Sequence, residues 1–291
     1  MQPKIVFVIL HYLAIKETID CLTSIEKNIC YDNYDVIIVD NGSKVDQDVV
    51  LLKQQELKFT NVKVIISDEN LGFARGNNIG FLYAKNNLLA DFIVLINNDT
   101  IISQPDFCDV IVEKFKEFHY AAMGPKIITK DGRDDSNPIT PSNYTIKALY
   151  RHLLVLCILY LSSFFHLDVK IQYLIEKIRL KKNAQKESKY TKDSLGLKLH
   201  GSCLIFSREY INRFEGLNPN TFLYMEEDIL FVRLKKNGLK SLYSPDLEIF
   251  HLEDAATNMI IRKGAKKRRF IYRNHLKSIQ TLIKEVCEKK E

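Results

Sequence analysis

Short apolar runs alternate with segments of helical periodicity over the first ~130 residues. Residues 4–10 (KIVFVIL), 35–39 (DVIIV), 62–66 (VKVII), 92–96 (FIVLI) and 121–128 read as strands. The first four are nearly continuous apolar stretches, the pattern of strands covered on both faces. Between them, apolar residues recur at helical spacing, as in Ile15, Ile19, Leu22 and Ile25, and the segments 45–57, 70–90 and 106–118 are predicted helical. Strand and helix in alternation predict an α/β fold: a mostly parallel, Rossmann-like sheet with helices on both faces. Residues 1–130 form its first half. In such a sheet the ligand crevice lies at the carboxyl ends of the strands. Those ends carry His11, Asp40 with Ser43, and Asn97-Asn98-Asp99, and the glycine-rich start of the 70–90 helix adds Arg75 and Asn77.

The pattern then changes. Residues 131–144 (DGRDDSNPITPSNY) read as a loop by their Pro, Asn, Ser and Asp content. Residues 153–165 (LLVLCILYLSSFF) are strongly apolar over only thirteen positions, and the Lys-rich stretch 170–192 that follows carries Ile171, Leu174, Ile175 and Ile178 at helical spacing. A short apolar helix followed by a basic amphipathic one suits a membrane interface. A lid, or a protein contact that buries the apolar face, would use the same pattern. Residues 131–198 are therefore set apart as a loop and helical insertion. Strands are predicted at 199–206 and 239–250. Between them, an aromatic-rich turn from residue 222 leads into a helix that opens on Glu226, Glu227 and Asp228 and closes on Lys235, Lys236 and Gly238. Residues 199–253 thus complete the domain, and 254–291 form a basic helical tail with Lys266-Lys267-Arg268-Arg269.

A hydrophobic fraction of 46% and a charged fraction of 27% are those of a globular protein. The net charge of +6 is mildly basic, and with no recognised motif beside the short basic run, nucleic acid is not an expected partner. The six cysteines (Cys21, Cys30, Cys108, Cys157, Cys203, Cys287) lack paired or metal-type spacing. With no stretch that reads as a signal peptide, they lead us to expect a reducing cytosol and a protein peripheral to the inner face of the cell membrane. No apolar run reaches the ~18–20 residues that span a bilayer.

The candidate chemistry has a plain alternative at each point. Asp99 beside two amides offers oxygen ligands to a divalent cation or a sugar hydroxyl, or the three residues form a turn. Asp40 can accept from a nucleobase N–H, or start a turn before Gly42. Gly72 and Gly76 let backbone approach a phosphate at a helix N-terminus, but their spacing is not that of a dinucleotide fingerprint. Arg75 suits an anion or a solvated helix face. Acids at a helix start and bases at its end also fit ordinary capping. Three adjacent carboxylates exceed what a cap needs, and their repulsion should raise at least one pKa into the range of a general base. His251, ending the last strand, is a ligand or a structural histidine.

Taken in order, the segments VILHY, VIIVDNGS, NLGFARGNNIG, VLINNDT, HGSCLIFSRE, FLYMEEDILFVRLKKNG and the strand ending at His251 resemble glycosyltransferase family 2, and within it the rhamnosyltransferase-like enzymes of bacterial polysaccharide biosynthesis. The resemblance covers most of the chain outside about 130–195 and the last forty residues. It implies a GT-A fold, a UDP-, dTDP- or GDP-sugar donor, a divalent cation (Mn²⁺ or Mg²⁺) and a lipid-linked or oligosaccharide acceptor at an anionic membrane surface. It places donor contacts on His11, Tyr12, Asp40, Asn41, Ser43, Gly72, Arg75, Asn77 and Asn98. Metal contacts fall on Asp99 and His251, the acceptor side on Gly201 and Glu226, and the base on Glu227, or on Asp228 if the match shifts by one residue. Three positions depart from the family: His11 stands where many relatives have Asn, Asn97 where the metal motif has its first Asp, and Glu226-Glu227-Asp228-Ile229-Leu230 where it often has Glu-Asp-x-Asp-Leu. A sugar nucleotidyltransferase, or a non-catalytic sugar- or membrane-binding protein with a decayed site, would share the architecture. The first of these would prefer a glycine-rich basic loop after the first strand, where this chain has His11-Tyr12-Leu13.

Overall fold

The computed structural model describes residues 2–182, 190–252 and 264–288. The lysine-rich continuation at 183–189 and the start of the predicted tail at 253–263 lie outside the described residues.

Strand β1 (Ile5–His11) sets the architecture. Side chains alternate across a strand, and here both faces are covered. Ile5, Phe7 and Ile9 face a core shared with helices α1 (Ile15–Asn28), α2 (Asp46–Lys58) and α4 (Phe107–Phe118). Val6 and Val8 face a second core formed with α3 (Gly72–Asn86), α7 (Arg208–Ile211) and α8 (Glu226–Lys236). Helix α3 lies close against the sheet because glycines face it: a Cβ on Gly80 would overlap the Val8 side chain.

β1 pairs in parallel with β2 (Tyr34–Asp40) and β4 (Phe92–Asn97), and β2 with β3 (Val62–Ile66). Beyond β4 the sheet continues through β8 (Cys203–Ser207), which runs antiparallel, to β6 (Ala122–Thr129) and β9 (Ser241–His251), parallel to each other. Two short strands, β5 (Thr100–Ile101) and β7 (Ser194–Leu195), pair antiparallel with β9. The order is β3-β2-β1-β4-β8-β6-β9-β5, a mostly parallel sheet between two helical layers.

A third cluster lies outside this sandwich. Helix α5 (Ile146–Ser162) buries Leu149 and Leu156 against Met225, Ile229 and Val232 at the α8 end and against Ile279, Leu282 and Ile283 of α9 (Ala265–Cys287). A 3-10 turn (Ser163–Phe165) and α6 (Asp168–Lys182) continue it. Asp168 is buried and accepts from both Nε and Nη2 of Arg268 and from the Tyr272 hydroxyl, which ties α6 to α9. The apolar helix is longer than its sequence suggests. It begins at Ile146, and Ile146–Phe165 spans 20 residues with mean hydropathy 1.6, enough by length and composition to cross a bilayer. Lys147, Arg151 and His152 had masked its first two turns in the sequence.

Candidate active site

At the carboxyl edge, β4 ends and the chain turns through Asn98-Asp99 into β5, whose Thr100 stands opposite His251 in β9. That pairing brings Asp99 Oδ1 to 3.2 Å from His251 Nε2. The separation suits an ion pair, but the ring is not aligned for a hydrogen bond, so the buried Nε2 has no hydrogen-bond partner among the described residues. An orphaned imidazole nitrogen beside a carboxylate fits two ligands of a divalent cation. Among the described residues no group of three or more His, Cys, Asp or Glu side chains converges on one point. Any cation here would draw its remaining ligands from elsewhere.

The segment His200-Gly201-Ser202 sits between this pair and the acids of α8. The His200 ring packs edge-on to His251, with centroids 5.9 Å apart. Ser202 O accepts from Asn97 N at 2.9 Å. A Cβ on Gly201 would come within 2.9 Å of Glu227 Oε1, so glycine leaves the carboxylate its room.

The three acids occupy the first turn of α8, and each meets a different environment. Glu226 is buried, and its Oε1 has no hydrogen-bond partner among the described residues. Burial, and then the charge of Glu227, push its pKa up to about 7. Asp228 Oδ1 accepts from the Tyr144 hydroxyl at 2.6 Å and from Lys198 Nζ at 3.0 Å. The Tyr144 phenol is pushed up, by burial first and then by Asp228. Glu227 is partly exposed and joins no hydrogen bond or ion pair among the described residues. The turn that delivers them is strained. Tyr224 and Met225 both have positive φ, 74° and 66°, in a region costly for residues with a Cβ. Packing holds them there: the Tyr224 ring stacks on His275 at 4.5 Å, and Met225 is buried.

The remaining expected residues fall into two groups. His11, Asn98 and Asn41 are buried and bonded within the protein. His11, expected at the ligand edge, lies beneath α1. Its Nδ1 is 2.8 Å from Thr18 Oγ1, and burial lowers its pKa against the pull of Asp40 and Asp48. Asn98 Nδ2 donates to the same Thr18 oxygen at 3.0 Å. Asn41 holds the start of α3, accepting from Leu71 N at 3.0 Å and donating to Gly72 O at 3.2 Å. Asp40 is buried and accepts from Ser43 N, while Ser43 Oγ accepts from Leu13 N, so the loop after β1 is fixed by the loop after β2. Tyr12 is partly exposed. Gly72 (φ 80°) brings α3 against Phe222, whose carbonyl accepts from Phe73 N at 2.8 Å. Asn77 is buried and donates to Phe73 O within its helix. Arg75 is exposed and lines a cleft of about 500 Å³ with Arg213, Phe214, Leu217 and Arg233, a recess that Asp40, Asp99, Glu227 and His251 do not line.

Sequence reading passed over Tyr144, Lys198, Asn78 and Asn137. Asn137 is buried and accepts from His200 N at 3.0 Å while donating to Pro125 O, so it positions the central segment. Asn78 exchanges two 2.8 Å bonds with Leu217. A polar residue within an otherwise small, apolar helix face, as in GNNIG, was the available signal for Asn78.

The sheet order and helical layers define an α/β protein of GT-A architecture. The chain belongs to glycosyl transferase family 2, whose model matches residues 6–212. It is 20% identical over 203 residues to the low-salt glycan biosynthesis hexosyltransferase Agl10 of Haloferax volcanii, covering 70% of this chain and 54% of that protein. It is 22% identical over 247 residues to the uncharacterized protein y4gI of Sinorhizobium fredii, covering 84% of this chain and 24% of that protein. The chain thus spans about a quarter and about half of the length of these relatives. Among solved structures, GalNAc-T7 with UDP, GalNAc and Mn²⁺ superposes with a TM-score of 0.58 at 13% identity, over 93% of this chain and 48% of that one. TarS 1-349 of S. aureus superposes with a TM-score of 0.54 at 12% identity, over 97% and 70%. At these identities the likeness is one of fold.

Proposed function

We propose that this chain is an inverting glycosyltransferase that moves a sugar from a nucleoside-diphosphate donor to a saccharide acceptor. The acceptor is lipid-linked, and the product belongs to cell-surface polysaccharide assembly. The observation that carries this reading is the separation of roles among the three acids of α8. Asp228 is neutralised by Lys198 and Tyr144, and Glu226 is desolvated. Glu227, partly exposed beside Gly201, is unpaired among the described residues.

In this mechanism Glu227 takes the proton from the acceptor hydroxyl as its oxygen forms a bond to the anomeric carbon. The bond from that carbon to the diphosphate oxygen breaks on the opposite side, and the nucleoside diphosphate leaves with the electron pair. Asp99 and His251 would hold a divalent cation, which when bound offsets charge on a diphosphate. Asp40, Ser43 and Tyr12 line the expected nucleoside side, and His11, Asn41 and Asn98 support it from within. The resemblance puts Arg75 and Asn77 at the ribose and diphosphate, whereas Arg75 lines a separate cleft and Asn77 is buried within its helix.

Calorimetric titration with UDP, dTDP and GDP, each with Mn²⁺ or Mg²⁺ and without, tests the donor site. One nucleotide is expected to bind with metal dependence, and Asp99→Ala is expected to abolish that dependence. Failure of all three to bind would favour a decayed site, consistent with Asn97 in place of an acid.

A further inference from the structure

Helix α5 has two unlike sides. At about 100° per residue, Leu149, Leu156 and Leu159 fall on one side and are buried. Tyr150, Leu154, Ile158, Leu161 and Phe165 fall on the other and are exposed, Leu161 by 64% and Phe165 by 75%. The apolar surface continues past the helix through Phe164, Leu167, Val169, Tyr173 and Leu174, all at least half exposed or nearly so. Such a continuous patch on a folded domain marks a partner.

The charges around the patch say which partner. Lys147 and Arg151 lie on the exposed side of α5, at its first two turns. Lys170 and Lys177 are exposed beyond it, and Arg269 of α9 sits over the Phe164 ring at 5.0 Å. No acidic residue occurs between Asp135 and Asp168, and Asp168 is buried under Arg268. An apolar stripe edged by cations, with no exposed acid from residue 136 to 175, fits phosphate headgroups over acyl chains. A second copy of the chain would have to set these cations against their own kind.

We propose that the exposed side of α5, with the 3-10 turn and the first turns of α6, docks on an anionic lipid bilayer. The helix lies in the interface and does not cross it, because its other side is packed on α8 and α9. Leu154, Ile158, Leu161 and Phe165 face the acyl region, and Lys147, Arg151, Lys170 and Arg269 stay at the headgroups. Tyr144, two residues before the helix, holds Asp228, so the membrane-facing helix is tied at its N-terminal end to the acids. The inference rests on, and sharpens, the reading of the acceptor as lipid-linked: the acceptor's sugar would emerge from the bilayer beside Glu227.

The test is flotation of the full chain with phosphatidylglycerol vesicles and with phosphatidylcholine vesicles, at low and high salt. We expect binding to the anionic vesicles, weakened by salt and weaker on the zwitterionic ones. Leu161→Ser combined with Phe165→Ser changes only exposed positions. It should lower vesicle affinity by roughly tenfold or more, given the transfer free energy of two large apolar side chains, with unchanged thermal melting and unchanged nucleotide binding. Three results would overturn the proposal: no binding to anionic vesicles at low salt, undiminished binding by the double variant, or a wild-type dimer that the double variant converts to monomer. Nucleotide titration on the same samples reads the transferase site separately, so loss of one reading is distinguishable from loss of the other.

Discussion

The two ends of the sheet hold their polar residues by different physics. At β1, β2 and β4, buried polar side chains are held mainly by neutral partners: His11 Nδ1 and Asn98 on Thr18, Asn41 on the start of α3, Asp40 on Ser43. Around α8 charged groups meet charged partners. Lys198 and Tyr144 reach Asp228, and Arg233 meets Glu285 at 3.6 Å. Glu226 stays buried with one oxygen unsatisfied among the described residues. The first arrangement is a floor in which most buried groups are bonded, His11 Nε2 excepted among the described residues. The second stores a desolvated carboxyl and an adjacent left-handed pair at the place where proton transfer is proposed, whereas the floor's loops carry the separate left-handed residues Leu13 and Lys44. That contrast is the expected one between a scaffold and a reactive site.

The contrast can be broken most severely at Glu227. Glu227→Gln should lower turnover by ~10²–10⁴-fold, the usual contribution of a general base, while donor affinity measured by calorimetry stays unchanged. Asp228→Asn should leave Lys198 without its counter-charge and lower folding stability more than it lowers chemistry. Equal turnover losses in both variants would erase the distinction between the acids.

On the floor side, Gly72→Ala is the next largest effect. The new Cβ would overlap the Phe222 carbonyl at a φ of 80°, so we expect a loss of at least ~2 kcal/mol in denaturant unfolding. Since α3 carries Gly72 and the turn at Phe222 leads to α8, nucleotide binding and turnover should both fall.

The smallest effect is a pH signature at Glu226. Its folded pKa of about 7 lies above the ordinary 4.5. The folded protein therefore binds the proton more tightly than the unfolded chain. The contribution is fully present below pH 4.5 and fades as pH rises through 7. Glu226→Gln should then melt at a higher temperature than wild type above pH 7, by up to about 3 kcal/mol in stability, with the gap closing toward pH 4.5. A gap that does not depend on pH would mean the carboxyl is not held neutral by burial.

Much of the floor was legible in the sequence because it is made of local patterns. The strands at 4–10, 35–39, 62–66 and 92–96 are apolar on both faces, and their boundaries differ from β1–β4 by a residue or so. Their polar ends were visible too, but not the direction of each side chain. Strand parity contained part of that answer: His11 shares the odd positions of Ile5, Phe7 and Ile9 and so turns under α1. The α8 side was less legible because its partners are non-local. Nothing in the sequence near Asp228 announces Lys198, thirty residues away, or Tyr144, eighty-four away. The strands β5 and β7 have two residues each and are defined only by β9. The apolar insertion was visible as a run of thirteen, yet its helix starts at Ile146, since basic residues interrupt a run without interrupting a helix.

The last helix of the chain fixes the turn before the acids. His275 stacks on Tyr224, Ser278 Oγ donates to Leu223 O, and Thr281 Oγ1 donates to Asn220 O. The left-handed pair Tyr224-Met225 is held against its own preference by residues translated some fifty positions later. During synthesis, then, the parallel strands β1–β4 are made well before the residues that hold the acids of α8 in their final posture. A nascent chain that has already formed its parallel floor would still be chemically silent, and would become competent only as α9 leaves the ribosome and docks.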